Sequence, residues 1–221
     1  MQIHIVKNAG FCAGVKRALK LAENNADESG IWYSLGPLVH NNVVIDHLKA
    51  KGINPVDNLE QITEENSGII IRSHGVSSDI IKAAESKGCK IVDATCPLVS
   101  KVHKIVQSLL QEQYEIYIYG DINHPEVIGI LGWCDNKATV INQLQQVENI
   151  DKRHKIALVS QTTKDENKFY EIAQALLTKA EEIRIFNTIC SATRTRVEQT
   201  VEVCRQVDLM LVIGDKQSSN T

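Results

Sequence analysis

Aromatic side chains are scarce, at 5% of the 221 residues, and no apolar run is long enough to cross a bilayer. Charge of either sign is not in excess: 24 Lys and Arg stand against 27 Asp and Glu. No basic surface therefore marks a nucleic-acid partner, and attraction of an anionic substrate has to come from a local site. The N-terminal MQIHIVKNAG lacks the apolar core of a secretory leader. Neither a Walker loop nor G-x-G-x-x-G occurs, which disfavours a nucleotide site. No C-x-x-C pair occurs, which gives a redox-disulfide protein little weight. These absences place the chain in the cytoplasm. There its six cysteines read as metal ligands or buried apolar residues before they read as disulfides.

What is present is an alternation of short β-branched runs and helix-periodic segments. Strands are expected at IHIV (3–6), IWYSL (31–35), GIII (68–71), KIVDA (90–94), EIYIY (115–119), KIALV (155–159), EIRIF (182–186) and DLMLVI (208–213). Helices are expected from Ala13 to about Asn25, near 41–51, over 77–87 and from Pro97 onward. In the last, Val99, Val102, Val106 and Leu109 step by three and four. The alternation predicts an α/β fold with mostly parallel sheets.

One feature recurs: a strand ends, a cysteine follows within a few residues, and a helix starts. It occurs as IVKNAGFC-AGVKRAL, IVDATC-PLVSKV and IFNTIC-SATRTRV. The three cysteines are roughly ninety residues apart, the length of a small domain. This predicts three similar α/β domains, each presenting one cysteine at the carboxyl edge of its sheet, where open α/β folds bind ligands. The divisions are 13–96, 97–189, and 1–12 with 190–221. The third domain is expected to be incomplete, because no helix follows DLMLVI to cover it; a C-terminally truncated chain or a completing partner would account for that.

Cys12, Cys96 and Cys190 each precede a helix, whose dipole and free N–H groups favour a thiolate. Their neighbours Gly14, Pro97, Ser191 and Ala192 are small or helix-starting. Three thiolates suit zinc with an open fourth position, or a [4Fe–4S] cluster with one iron free to bind substrate. Cys89 after Gly88, Cys134 in the GWCDN turn and Cys204 mid-helix in VEQTVEVCRQV read as plain structural residues.

Polar candidates also follow strands: His40, His74, His124 with Glu126, Gln161 with Thr162 and Thr163, and Ser218, Ser219 and Asn220. Histidines with short hydroxyl and amide side chains make an oxyanion site. His4, His47, His103 and His154 read instead as strand or helix surface residues. Glu126 carries a tension. Pro125 starts a helix, whose positive end favours the carboxylate, so an acid role needs desolvation or a relay such as the Thr162 hydroxyl.

The stretches GFCAGVKRA, LGPLVHN, SHGVS, DATCPLVSKVHK, NHPEV, SQTT, TICSAT and SSNT occur in this order from residue 10 to the last residue. Together they resemble the 4-hydroxy-3-methylbut-2-enyl diphosphate reductase family of the methylerythritol phosphate pathway. The resemblance implies a trefoil of three α/β domains around a [4Fe–4S] cluster held by Cys12, Cys96 and Cys190. It implies diphosphate contacts from His40, His74, His124, Ser218, Ser219 and Asn220, an essential acid at Glu126, and a relay at Thr162. It also implies a reaction in which the substrate hydroxyl binds the open iron. Two electrons from a ferredoxin or flavodoxin, with protons, then give isopentenyl or dimethylallyl diphosphate and water. The family continues past SSNT with a further diphosphate-binding serine, and Val197 stands where the family usually has glutamine. Two competing readings are a quinolinate-synthase-like [4Fe–4S] enzyme, which HPEV and SSNT fit less well, and a zinc or iron–sulfur sensor module without catalysis.

Overall fold

The computed structural model describes residues 2–26, 30–64, 66–216 and 218. Its elements run in chain order as α1 (Ala13–Ala26), β1 (Trp32–Leu35), α2 (Asn42–Ala50), β2 (Ile53–Val56), β3 (Gly68–Ile71), α3 (Ser78–Ser86), β4 (Lys90–Asp93), α4 (Pro97–Gln111) and β5 (Glu115–Tyr119). They continue as α5 (Pro125–Gly132), β6 (Thr139–Ile141), α6 (Gln145–Glu148), β7 (Arg153–Ser160), α7 (Glu166–Leu176), β8 (Ala180–Ile185) and α8 (Ser191–Cys204). The expected α/β class with parallel sheets is what forms. Both four-stranded sheets are parallel throughout, in the orders β2-β1-β3-β4 and β6-β5-β7-β8.

The chain forms two compact units. The first contains residues up to Ser73, then Ala83–Cys96, and the segment from Cys190. Its core sets Ala18 and Ala22 of α1 and Leu48 of α2 with Trp32, Ile53, Ile70 and Ala94. Small residues on α1 bring that helix close to the sheet, and Gly68 admits the Trp32 indole: a Cβ there would fall 2.2 Å from Trp32 Cε3. The second unit contains His74–Lys82 and Pro97–Ile189. Here strand alternation is complete. Ile116, Ile118, Ala157 and Val159 turn one way, against Val102, Val106 and Leu109 of α4 and Val127 and Ile130 of α5. Tyr117, Tyr119, Ile156 and Leu158 turn the other way, against Phe169, Ile172 and Leu176 of α7. Both faces are covered, as a parallel sheet requires.

Four differences from the sequence reading have physical causes. IHIV and DLMLVI are not strands. Their side chains stand open to solvent, with Ile3 74% and Ile213 93% exposed, so no burial offsets the cost of ordering them. Conversely, β2 and β6 form from INPV, which carries a proline, and TVI, which is β-branched but only three residues long. Each is an edge strand with a single neighbour, where Pro55 and polar residues are tolerated. His103 is a core residue, 5% exposed, because its place on α4 is one turn from Val99 and Val106. Cys204 ends α8 and is exposed; it is not mid-helix. No helix among the described residues is long and apolar enough to cross a membrane.

Candidate functional site

In each sheet the strand order reverses between its two central strands, β1 and β3 in one and β5 and β7 in the other. Connections leave such a pair in opposite directions, and a crevice opens at the carboxyl ends. The residues that follow these four strands are the polar candidates. His40 follows β1, His74 follows β3, His124 and Glu126 follow β5, and Gln161 and Thr162 follow β7.

In the first unit, His40 is half-buried. Burial, and then the Arg72 charge, hold its imidazole below the usual range, with Asp215 opposing. Arg72, which the sequence reading passed over, lays its guanidinium against the backbone of Gly36. A Cβ on Gly36 would come 2.4 Å from Arg72 Nη1, and φ is +72° there, so only glycine suits. Burial lowers the Arg72 pKa from its ordinary value.

The three selected cysteines lie in this same unit, as partly buried thiols. Cys12 precedes α1 and its carbonyl accepts from Lys16 N at 3.0 Å. Cys190 is the N-cap of α8, with its carbonyl accepting from Thr193 N and Arg194 N. Cys96 precedes α4, and its N–H donates to Ser73 O at 2.9 Å. Gly14 supplies the close approach: a Cβ there would lie 2.9 Å from Cys96 Sγ and 3.8 Å from Cys12 Sγ. Two sulfurs thus crowd one point in the first turn of α1. Arg17, one turn later, donates to Thr95 O at 3.0 Å and fixes α1 to the segment carrying Cys96. Asn8 N donates to Gln199 Oε1 at 3.1 Å and Arg196 Nη2 to Gly10 O at 2.8 Å, so the segment before Cys12 is tied to the helix after Cys190. The remaining cysteines differ in kind. Cys134 is fully buried with its thiol donating to Ile130 and Leu131 carbonyls, and burial pushes it up to about 11. Cys89 lies in the turn before β4.

In the second unit, Glu126 is 2% exposed in the first turn of α5. Both its carboxylate oxygens are held by Thr162, whose N–H donates to Oε1 at 2.6 Å and whose hydroxyl donates to Oε2 at 2.8 Å. These bonds favour the ionised form, yet burial outweighs them and raises the pKa to about 7. His124 caps the same helix, its Nδ1 accepting from Glu126 N at 3.1 Å. That bond leaves the Nε2 edge to carry a proton. The His74 ring meets the His124 ring edge to face, with centroids 5.5 Å apart at 87°. Gln161 is wholly buried and braces the strand ends, Oε1 accepting from Asp121 N and Nε2 donating to Thr163 Oγ1. Thr188 was not foreseen. Its hydroxyl accepts from Ser160 N and donates to Ser160 O, anchoring to β7 the segment that leads to Cys190. Ser218 is partly buried; Ser219 and Asn220 lie outside the described residues.

A family profile described as LytB protein matches residues 3–221. A 4-hydroxy-3-methylbut-2-enyl diphosphate reductase of Clostridioides difficile is 48% identical over all of this chain and 80% of its own length. One of the same name from Caldanaerobacter subterraneus is 44% identical, again over the whole chain and 78% of its own length. Among solved structures, an (E)-4-hydroxy-3-methyl-but-2-enyl diphosphate reductase, the terminal enzyme of the non-mevalonate pathway, superposes with a TM-score of 0.81. It is 40% identical over 99% of this chain and 78% of that one. The E-1-hydroxy-2-methyl-but-2-enyl-4-diphosphate reductase of Plasmodium falciparum gives 0.87 at 32% identity over 96% of this chain and 68% of that one. A match running from residue 3 to residue 221, with relatives above 40% identity along the whole chain, makes this chain a member of the LytB protein family.

Proposed function

We propose that the chain reduces (E)-4-hydroxy-3-methylbut-2-enyl diphosphate to isopentenyl and dimethylallyl diphosphate, using a [4Fe–4S] cluster bound by Cys12, Cys96 and Cys190. The observation that carries this reading is Glu126, a buried carboxyl able to exchange a proton near neutral pH and gripped at both oxygens by Thr162. The donor set suits the cluster. It consists of three partly buried thiols at helix N-termini, two of them meeting at a glycine. When bound, the cluster would supply the electrons, received from a ferredoxin or flavodoxin, and one open iron as Lewis acid. The domain division 13–96, 97–189, and 1–12 with 190–221 belongs to the same proposal.

The overall change takes two electrons and two protons and releases one water. The chain's own residues account for the proton path and the anion. Glu126 holds a proton at one carboxyl oxygen near neutral pH, and the Thr162 hydroxyl, which can both accept and donate, passes it toward the departing hydroxyl. His74 and His124, with His40, Ser218, Ser219 and Asn220, bind the diphosphate oxygens through N–H and O–H donors. The buried floor of Gln161, Thr162 and Ser160 excludes water from the proton-transfer step.

The test is anaerobic reconstitution with iron and sulfide, followed by turnover with a reduced donor. A brown chain that converts the allylic diphosphate is expected, and Glu126→Gln should keep the colour and diphosphate binding while losing turnover. A chain that stays colourless, or a Glu126→Gln variant with near-normal rates, would overturn the reading.

A further inference from the structure

Residues 74–82 sit between β3 and the rest of α3, yet they pack with the second unit. Among the described contacts that hold them, those to one helix, α5, stand out. A Cβ at Gly129 would stand in ordinary contact, 3.7 Å, with the His74 carbonyl oxygen and the Gly75 carbonyl carbon, and 3.5 Å from His103 Nε2. One turn on, a Cβ at Gly132 would fall 2.1 Å from Ser77 Cβ. The two glycines thus give α5 a smooth side against which the segment lies. Directed bonds then fix its register. Trp133 Nε1 donates to Val76 O at 2.9 Å, and Ser78 Oγ donates to Gly132 O at 3.3 Å. The indole is itself held flat by His103 of α4, stacked at 5.3 Å and 17°. His103 is buried, although a histidine on an exposed helix face would cost nothing to desolvate.

The other end of α5 carries His124 and Glu126. One rigid helix therefore holds His124 at its N-terminus and, through its C-terminal turn, grips the segment that presents His74. We propose that Trp133 is a positioning residue that sets His74 against His124 for an anionic ligand, with His103 as its backing. The inference rests on the diphosphate reading above. The imidazoles supply donors to phosphoryl oxygens, and such donors bind an anion well only when their spacing is fixed in advance of binding. A phenylalanine at 133 keeps the stack on His103 and removes the bond to Val76 O, which frees the His74 segment.

The probe is inorganic diphosphate, titrated calorimetrically into the full chain, because it reads the anion site without turnover. Trp133→Phe should weaken binding roughly five- to tenfold, as expected for one lost hydrogen bond. The decisive comparison is a double-mutant cycle. If Trp133 acts through His74, then Trp133→Phe adds no further loss in a His74→Ala background. A merely structural role would lower the thermal midpoint and weaken binding by the same factor in both backgrounds. Gly132→Ala, which pushes on Ser77 and leaves the indole in place, should behave like Trp133→Phe and covers the case in which that variant does not fold. Additive losses, or unchanged affinity in both variants while the parent binds, overturn the inference. Absence of diphosphate binding by the parent chain overturns the diphosphate reading and this inference with it.

Discussion

Glu126 stands under opposed influences. The positive end of α5 and two bonds from Thr162 favour the carboxylate, while full burial favours the acid, and burial wins. The carboxyl ionises near 4.5 when free in solution and at about 7 in the folded protein, so the folded state binds its proton more tightly. The resulting stabilisation is complete below pH 4.5 and is lost as pH rises through about 7. A shift of this size corresponds to about 3 kcal/mol across that window. Glu126→Gln cannot ionise, so urea unfolding at pH 5 and pH 8 should show the parent losing more stability than the variant. Equal losses would mean that Glu126 is ionised throughout. The candidate acid and its relay were legible in NHPEV and SQTT, since Pro before a glutamate marks a helix start and a threonine after a strand marks a sheet edge. The sign of the pKa shift was not legible, because depth of burial depends on Val127, Ile130 and the strands beneath. His103 was misread for the same reason: an imidazole on a helix looks like surface until Trp133, thirty residues on, is known to cover it.

At the scale of elements, α1 shows how a helix can be built against its own propensity for the sake of what it touches. Gly14 lies in its first turn, and glycine is a poorer helix former than alanine. The glycine is explained by Cys96 Sγ and Cys12 Sγ, which an added Cβ would meet at 2.9 and 3.8 Å. Gly14→Ala should therefore leave the thermal midpoint of the cluster-free chain unchanged or slightly raised, yet reduce iron and sulfide bound after reconstitution. Full iron content in that variant would show that the sulfurs have room to move aside. Most elements could be read from pattern, because β5 and β7 alternate between two covered faces and α4 repeats valine at helical spacing. The failures were edge strands and orphan runs. INPV carries a proline and TVI has only three residues, so each is a faint signal beside a central strand, and IHIV and DLMLVI look like strands only if something buries them, which no described residue does.

For the molecule as a whole, the question is what joins distant parts of the chain. Cys12, Cys96 and Cys190 are separated by most of the sequence, yet they belong to one compact unit. Four of the bonds among the described residues that gather them are Arg17 to Thr95, Cys96 to Ser73, Asn8 to Gln199, and Arg196 to Gly10. Two of these four join the chain's beginning to α8, which buries no residue of its own. A group ligated by all three thiolates would add three strong bonds where the protein contributes a handful of weak ones. Because it binds the folded chain and not the unfolded one, it must raise stability by mass action. Reconstituted protein should therefore unfold at a higher temperature than the cluster-free form, with protection of amide hydrogens concentrated in residues 8–17 and 190–204. Cys96→Ser should abolish both the visible absorbance and this gain, while costing the cluster-free form little, since its partly buried thiol packs in no core cluster. Cys134→Ser should do the reverse, keeping the colour but lowering the cluster-free midpoint, because that thiol is fully buried in the core of the second unit. If Cys96→Ser keeps the stability gain on reconstitution, the group is held by other ligands and the three-thiolate centre is wrong.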